Sequence, residues 1–189
     1  MKKILLLLIS MFCVSYTSVE KSECVVSTTP TEINTIYNDL VTEVDSYINK
    51  ISPSSQLEGK VIVDMCIKYN VDIIFVLAQG QIESHFGTTG TARRTNSVFN
   101  VGAYNGHSSV TQIRRGYGFN HPNESVEPYL ILLHKNYLVN NKTTNDLMYN
   151  YVNKYGQRYA SHTGYEKMMR SVYNRINTTT NIKHFQSLI

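Results

Sequence analysis

The stretch Phe75–Ala103, FVLAQGQIESHFGTTGTARRTNSVFNVGA, decides how this chain is read. Upstream and within it, Ile73, Ile74, Val76, Leu77, Ile82 and Phe86 recur as apolar positions, and Ala78 and Gly80 are small enough for close packing. That pattern predicts a helix over 72–86, started at Asp72 and stopped by the two glycines of FGTTGT. Near its end stands one carboxylate, Glu83, and no Asp or Glu follows until Glu124. Glu83 lies three residues after Gly80 and four after Gln79, so it shares a narrow face with small and amide side chains. A partly buried carboxyl there is a candidate proton donor. The pattern alone nevertheless favours an ordinary solvated glutamate, because most helical glutamates face water.

Outward from this stretch the chain is mostly helical. PTEINTIYNDLVTEVDSYINKI places Ile33, Ile36, Tyr37, Leu40, Val44, Tyr47 and Ile48 on one stripe, which predicts a helix over 31–50, either a docking element or a packed part of the domain. SPSS breaks it, and a second helix is expected over about 56–69, closed by Asn70. Residues 91–120 hold Gly102, Gly106, Gly116 and Gly118 with the β-prone pieces SVFNVGAY and SSVTQI, which reads as a small, loop-rich β-lobe. Helical patterning returns from Asn123 through about Val139, in TNDLMYNYVNKY and in GYEKMMRSVYNRI. The expected fold is therefore α+β and predominantly α-helical, with a small β-lobe. A cleft between that lobe and the helices is the natural ligand site.

Composition bounds the function. The 189 residues, 42% hydrophobic and 17% charged, make one soluble domain able to bury a core without metal or disulfide support. The N-terminus, MKKILLLLISMFCVSYTS, has a basic start and an apolar run too short to span a bilayer, so residues 1–18 read as a secretory signal peptide, with a retained membrane anchor as the alternative. The protein is expected to be exported, with no stable membrane association once the signal is removed. Residues 19–55 then form a linker and the N-terminal helix, and 56–180 the main domain. Loss of Lys2 and Lys3 takes the formal charge from +4 to +2, too little to point to nucleic acid. Cys66 sits among apolar helix positions as a small core residue, and nothing in the spacing demands that it pair with Cys24. The six histidines are scattered without metal-ligand spacing, so neither a metal nor a cofactor is expected.

An ordered set of motifs adds to this reading. Ala78, Gln79, Glu83, Ser84 and Gly87 stand as A-Q-x-x-x-E-S-x-x-G, followed by Ala92, Asn96, Phe99 and Gly102. GYGFNHPNESVEPYLILL and YGQRYASHTGYEKMMRSVYNRI come after them in order. Over about 57–176 the chain resembles the N-acetylglucosaminidase domains of flagellar-rod peptidoglycan hydrolases and autolysins, in the lysozyme superfamily. The resemblance implies a lysozyme-like fold and cleavage of the β-1,4 glycan strand of peptidoglycan, with Glu83 as general acid. It also implies that Tyr159, in the Y-A motif, stabilises an oxocarbenium-like state. Gln79 and Ser84 are expected to position backbone or substrate. Asn96 and Phe99 fit lobe packing and sugar contact equally, and Tyr165 fits a core position as well as a substrate contact.

The chain departs from two-carboxylate glycosidases in its acid-free interval, which instead carries Arg93, Arg94, Arg114 and Arg115. Three explanations compete. The substrate's 2-acetamido oxygen supplies the missing nucleophile; or the enzyme is a lytic transglycosylase, although the Gly-Leu-Met-Gln signature of those enzymes is absent; or Glu124 or Glu127 reaches in, though both suit helix capping. The arginines fit carboxylates of the peptide stems as well as a solvated surface. A reading of another class is an inactive module that binds cell wall or assembles a virion or secretion structure.

Overall fold

A computed structural model of the chain describes residues 29–101 and 118–189. The signal-peptide reading of residues 1–18, Cys24 and the β-prone SSVTQI all lie outside the described residues. No described helix is long and apolar enough to cross a membrane.

The body is built around one helix that is buried on every side along most of its length. In α3 (Ile73–Ser84) the residues from Ile73 to Gly80 are all buried. Such a helix is stable only at the centre of a bundle. Asp72 starts it, accepting from the Phe75 N–H at 3.0 Å, and the same carboxylate accepts from the Tyr173 hydroxyl at 2.9 Å. α1 (Pro30–Ile51) and α2 (Gly59–Tyr69) precede it, and α4 (Ala92–Thr95) follows it as a single turn. A 3-10 turn, Pro122–Ser125, leads into α5 (Val126–Asn136). Then come α6 (Thr144–Leu147), α7 (Tyr165–Thr179) and α8 (Ile182–Gln186). α7 runs against α3, α5 against α2, and α1 against both α2 and α8.

The N-terminal helix is a packed part of this body. Thr29 and Glu32 form a capping box with Pro30 in the first turn, and Leu40, Val44, Tyr47 and Ile48 are buried. Gly59 marks where α2 meets it: the Gly59 N–H donates to Asp45 Oδ1 at 2.5 Å, and a Cβ at Gly59 would come within 2.7 Å of that oxygen. Cys66 is buried inside α2, where burial pushes its thiol pKa up.

Two sequence expectations need correction. The described part of SVFNVGAY is a turn rather than a strand. Asn96 and Asn100 both take left-handed backbone, at φ 53° and 54°, and the Asn100 N–H closes a turn on the Ser97 carbonyl at 3.0 Å. Left-handed residues interrupt an extended run, and asparagine tolerates them best after glycine. Among the described residues there is no strand, only one antiparallel bridge between Val152 and Arg158. The described part of residues 91–120 therefore does not show the small β-lobe expected there, and residues 102–117 lie outside the described residues.

The second correction concerns TNDLMYNYVNKY, where the helix stops at Leu147. A hairpin-like turn replaces it: Asn153 Oδ1 accepts from the N–H groups of Tyr155 and Gln157, Gly156 takes φ +78°, and the Tyr159 N–H bonds the Tyr151 carbonyl at 2.8 Å. Asn153 offers the backbone a local partner that a helix would not, and Gly156 supplies the left-handed residue.

Candidate active site

The site is assembled where α3 ends. The helix terminates through three successive left-handed residues, His85, Phe86 and Gly87, at φ 46°, 56° and 86°. The polar backbone around this exit is well held. Gln81 and Gly80 carbonyls accept from the His85 and Phe86 N–H groups, while Ser52 and Ser55, from the SPSS break, donate to the His85 and Phe86 carbonyls at 2.8 Å each. Ser84 is buried and, among the described residues, its hydroxyl bonds backbone alone: it donates to the Val98 carbonyl at 2.6 Å and accepts from the Gly87 N–H at 2.8 Å. This one side chain ties the helix end to the turn at 97–101, and so sets where the next residues stand relative to Glu83.

Glu83 is half-buried and carries two donors. The Tyr165 hydroxyl, from the first residue of α7, donates to Oε1 at 2.5 Å. Asn100 Nδ2 donates to Oε2 at 2.9 Å and also reaches the Glu83 carbonyl at 3.3 Å. Hydrogen bonds on both oxygens fix the plane of the carboxylate. Asn100 was not singled out by its sequence context. The signal that would have found it is the turn-forming asparagine one residue after the motif's Phe99.

Around the carboxylate stands a cluster of tyrosines. Tyr159 stacks on Tyr151 with centroids 4.6 Å apart and planes 18° from parallel, and lies 5.8 Å from Tyr165. Its hydroxyl donates to the Phe99 carbonyl at 3.0 Å. The Phe99 ring in turn stacks on Tyr129 at 3.9 Å and 9°. Beneath them Gln79, fully buried, accepts through Oε1 from the Tyr129 hydroxyl at 2.5 Å and the Tyr151 hydroxyl at 2.7 Å; its Nε2 has no partner among the described residues. Burial first, and then the charge of Glu83, holds the Tyr159 and Tyr165 phenols well above the ordinary tyrosine range. Both are therefore neutral at physiological pH.

The seven residues singled out in the sequence thus separate by position. Glu83 and Tyr159 are partly exposed and adjacent through Tyr165. Gln79, Ser84 and Phe99 are buried and hold the surrounding frame. Asn96 gives its amide to the carbonyls of Phe119 and Asn120, at 2.9 and 3.1 Å, pinning the chain where it returns after residue 117.

Other acids are engaged elsewhere. Glu124 Oε2 accepts from the Asn120 N–H at 3.0 Å, and Glu127 pairs with Lys68 at 2.6 Å and with Tyr69 on α2. Glu166, the residue after Tyr165, is buried and bonded through both oxygens to Arg158, at 2.9 and 2.6 Å, and to the Tyr151 N–H at 3.3 Å. It braces the hairpin that carries Tyr159. Burial alone would raise the Glu166 carboxyl, but its backbone hydrogen bonds and the Arg158 charge outweigh that and hold it below the usual range. Among the described residues no group of His, Cys, Asp and Glu is arranged to hold a metal ion.

A family model described as Glucosaminidase, mannosyl-glycoprotein endo-beta-N-acetylglucosaminidase, matches residues 59–178, from the first residue of α2 into the last turn of α7. No curated protein matches the chain.

Proposed function

The chain belongs to the glucosaminidase family and is a glycoside hydrolase, an endo-β-N-acetylglucosaminidase; from that premise we propose that it cuts the β-1,4 glycan strand of peptidoglycan, with Glu83 as general acid. The family's name cites a mannosyl-glycoprotein, and both substrates present an internal N-acetylglucosamine joined by a β-linkage. What favours peptidoglycan is the ordered resemblance over about 57–176 to bacterial wall hydrolases, together with a leader-like N-terminus that reads as an export signal. An exported protein meets that glycan directly.

The observation that carries the assignment is the setting of Glu83. It is a half-buried carboxyl at the end of the central helix, clamped by Tyr165 and Asn100 and flanked by neutral tyrosines. In the proposed reaction Glu83 gives its proton to the glycosidic oxygen as the C1–O bond breaks. No acid occurs in the sequence from Ser84 to Asn123, and Glu124, Glu127 and Glu166 are committed to other partners. The nucleophile is then the substrate's own 2-acetamido oxygen, which bonds to C1 and gives a cyclic oxazolinium intermediate. Water adds to C1 next, its proton passing to the Glu83 carboxylate, and the ring reopens to the acetamide. Tyr159 has its proton committed to the Phe99 carbonyl, which leaves its oxygen lone pairs to face the positive charge building at C1. Gln79, Ser84 and Phe99 position this frame.

Mass spectrometry of peptidoglycan digested by the purified protein tests the proposal. Fragments ending in reducing N-acetylglucosamine are expected. Anhydro-muramoyl ends would replace hydrolysis with transglycosylation, for which one acid also suffices. A folded protein that binds cell wall and releases nothing would overturn cleavage of peptidoglycan in favour of a wall-binding or assembly module.

A further inference from the structure

Beyond the end of α3 lies a cleft of about 390 Å³, lined by Ser54, Gln56, Gly87, Thr88, Arg93 and Asn96 among others. Its lining is mostly polar and includes no acid. Arg93, on α4, is exposed and has no hydrogen-bond or ion-pair partner among the described residues. Asn96 has already spent its amide on the Phe119 and Asn120 carbonyls, so Arg93 is the charged donor the cleft offers. The whole interval from Ser84 to Asn123 carries four arginines and no carboxylate, so an anion entering here meets no like charge from that part of the chain.

We propose that this cleft is a subsite for the peptide stem of peptidoglycan, with Arg93 pairing a stem carboxylate. The inference rests on the peptidoglycan reading above. A guanidinium fork matches a carboxylate in shape as well as charge, which a neutral sugar ring does not exploit. Reach agrees. Gly87 and Thr88 are four and five residues from Glu83, so chain connectivity keeps the cleft within about 18 Å of the catalytic helix end. A stem of three to five residues, attached to the muramic acid next to the cut bond, spans roughly 10–17 Å. The sugar at Glu83 and a carboxylate at Arg93 are thus accessible to one substrate molecule.

The test uses glycan strands whose stems carry free carboxylates and the same strands with those carboxylates chemically amidated. The wild-type protein is expected to favour the free form by about fivefold in kcat/KM, the scale of an exposed ion pair, through KM rather than kcat. In Arg93→Gln that preference disappears. The amidated arm is read on the wild-type protein, so it does not depend on the variant folding. Equal cleavage of both strands by the wild type would overturn the stem subsite while leaving the glycan assignment standing, as would a preference that survives in Arg93→Gln. Cleavage of neither strand would instead overturn the peptidoglycan reading, and the stem subsite with it.

Discussion

The Glu83→Gln substitution separates chemistry from architecture, because the structure shows how the amide would be held. Asn100 Nδ2 can only donate, so it requires an oxygen opposite it. The Tyr165 hydroxyl can donate or accept, so it can face the new NH2 group. One orientation of the substituted amide therefore meets both neighbours, with Tyr165 switching from donor to acceptor. The cost is a weakened hydrogen bond and a hydroxyl proton without its former acceptor, about 1–2 kcal/mol. For a chain of this size that lowers Tm by roughly 2–8 °C and leaves the protein folded at 25 °C. The amide cannot give up a proton to a glycosidic oxygen, so kcat should fall by about 10²–10⁴, the usual contribution of a general acid. Reducing-end release from purified peptidoglycan, read beside a thermal melt of the same preparation, measures both quantities. A loss below tenfold with an unchanged melt would refute Glu83 as the proton donor. A drop in Tm beyond about 10 °C would refute the claim that Asn100 and Tyr165 accommodate the amide.

Further outcomes follow from the same contacts. Tyr165→Phe removes one of two donors to the carboxylate, a bond to a charged group worth about 1.5–3 kcal/mol, so kcat should fall roughly 10- to 100-fold with KM little changed in steady-state assays. Ser84→Ala leaves the Val98 carbonyl and the Gly87 N–H without their partner. Denaturant titration should show a loss of about 1–3 kcal/mol, accompanied by reduced activity as the 97–101 turn loosens beside Glu83. Glu166 has a carboxyl held below its ordinary range, so the stability it contributes is present above the unfolded value of about 4.3 and is lost as pH falls through the lower folded value. Melts between about pH 3 and pH 7 should therefore show a shallower acid limb in Glu166→Gln than in the wild type. An identical limb would mean that the Arg158–Glu166 pair does not stabilise the hairpin.

The sequence by itself determined the helical body and singled out Glu83 as the candidate acid, the latter through the ordered motifs around it rather than through helix spacing. An apolar run such as Ile73–Ala78 is legible because burial selects side chains by type and period, wherever their partners come from. The acid-free interval after Glu83 is likewise complete in the sequence, and it bears on mechanism without any coordinates. What the sequence could not supply was direction and partnership. Gln79 and Phe99 belong to the same motif as Glu83, yet they face inward and support tyrosines drawn from residues 129, 151 and 159. Asn100, Tyr165 and Glu83 are brought together across 17 and 82 residues of chain, a convergence that no local pattern encodes. The misread segments failed for a related reason. Around Asn100 and around Asn153, side-chain and backbone bonds that close tight turns outweighed the β and helical tendencies of their neighbours. Tertiary packing then fixed those turns beside the carboxylate, because Ser84 and Glu166 each commit their polar atoms to the backbone of a neighbouring turn, and a buried polar group left without that partner would be costly.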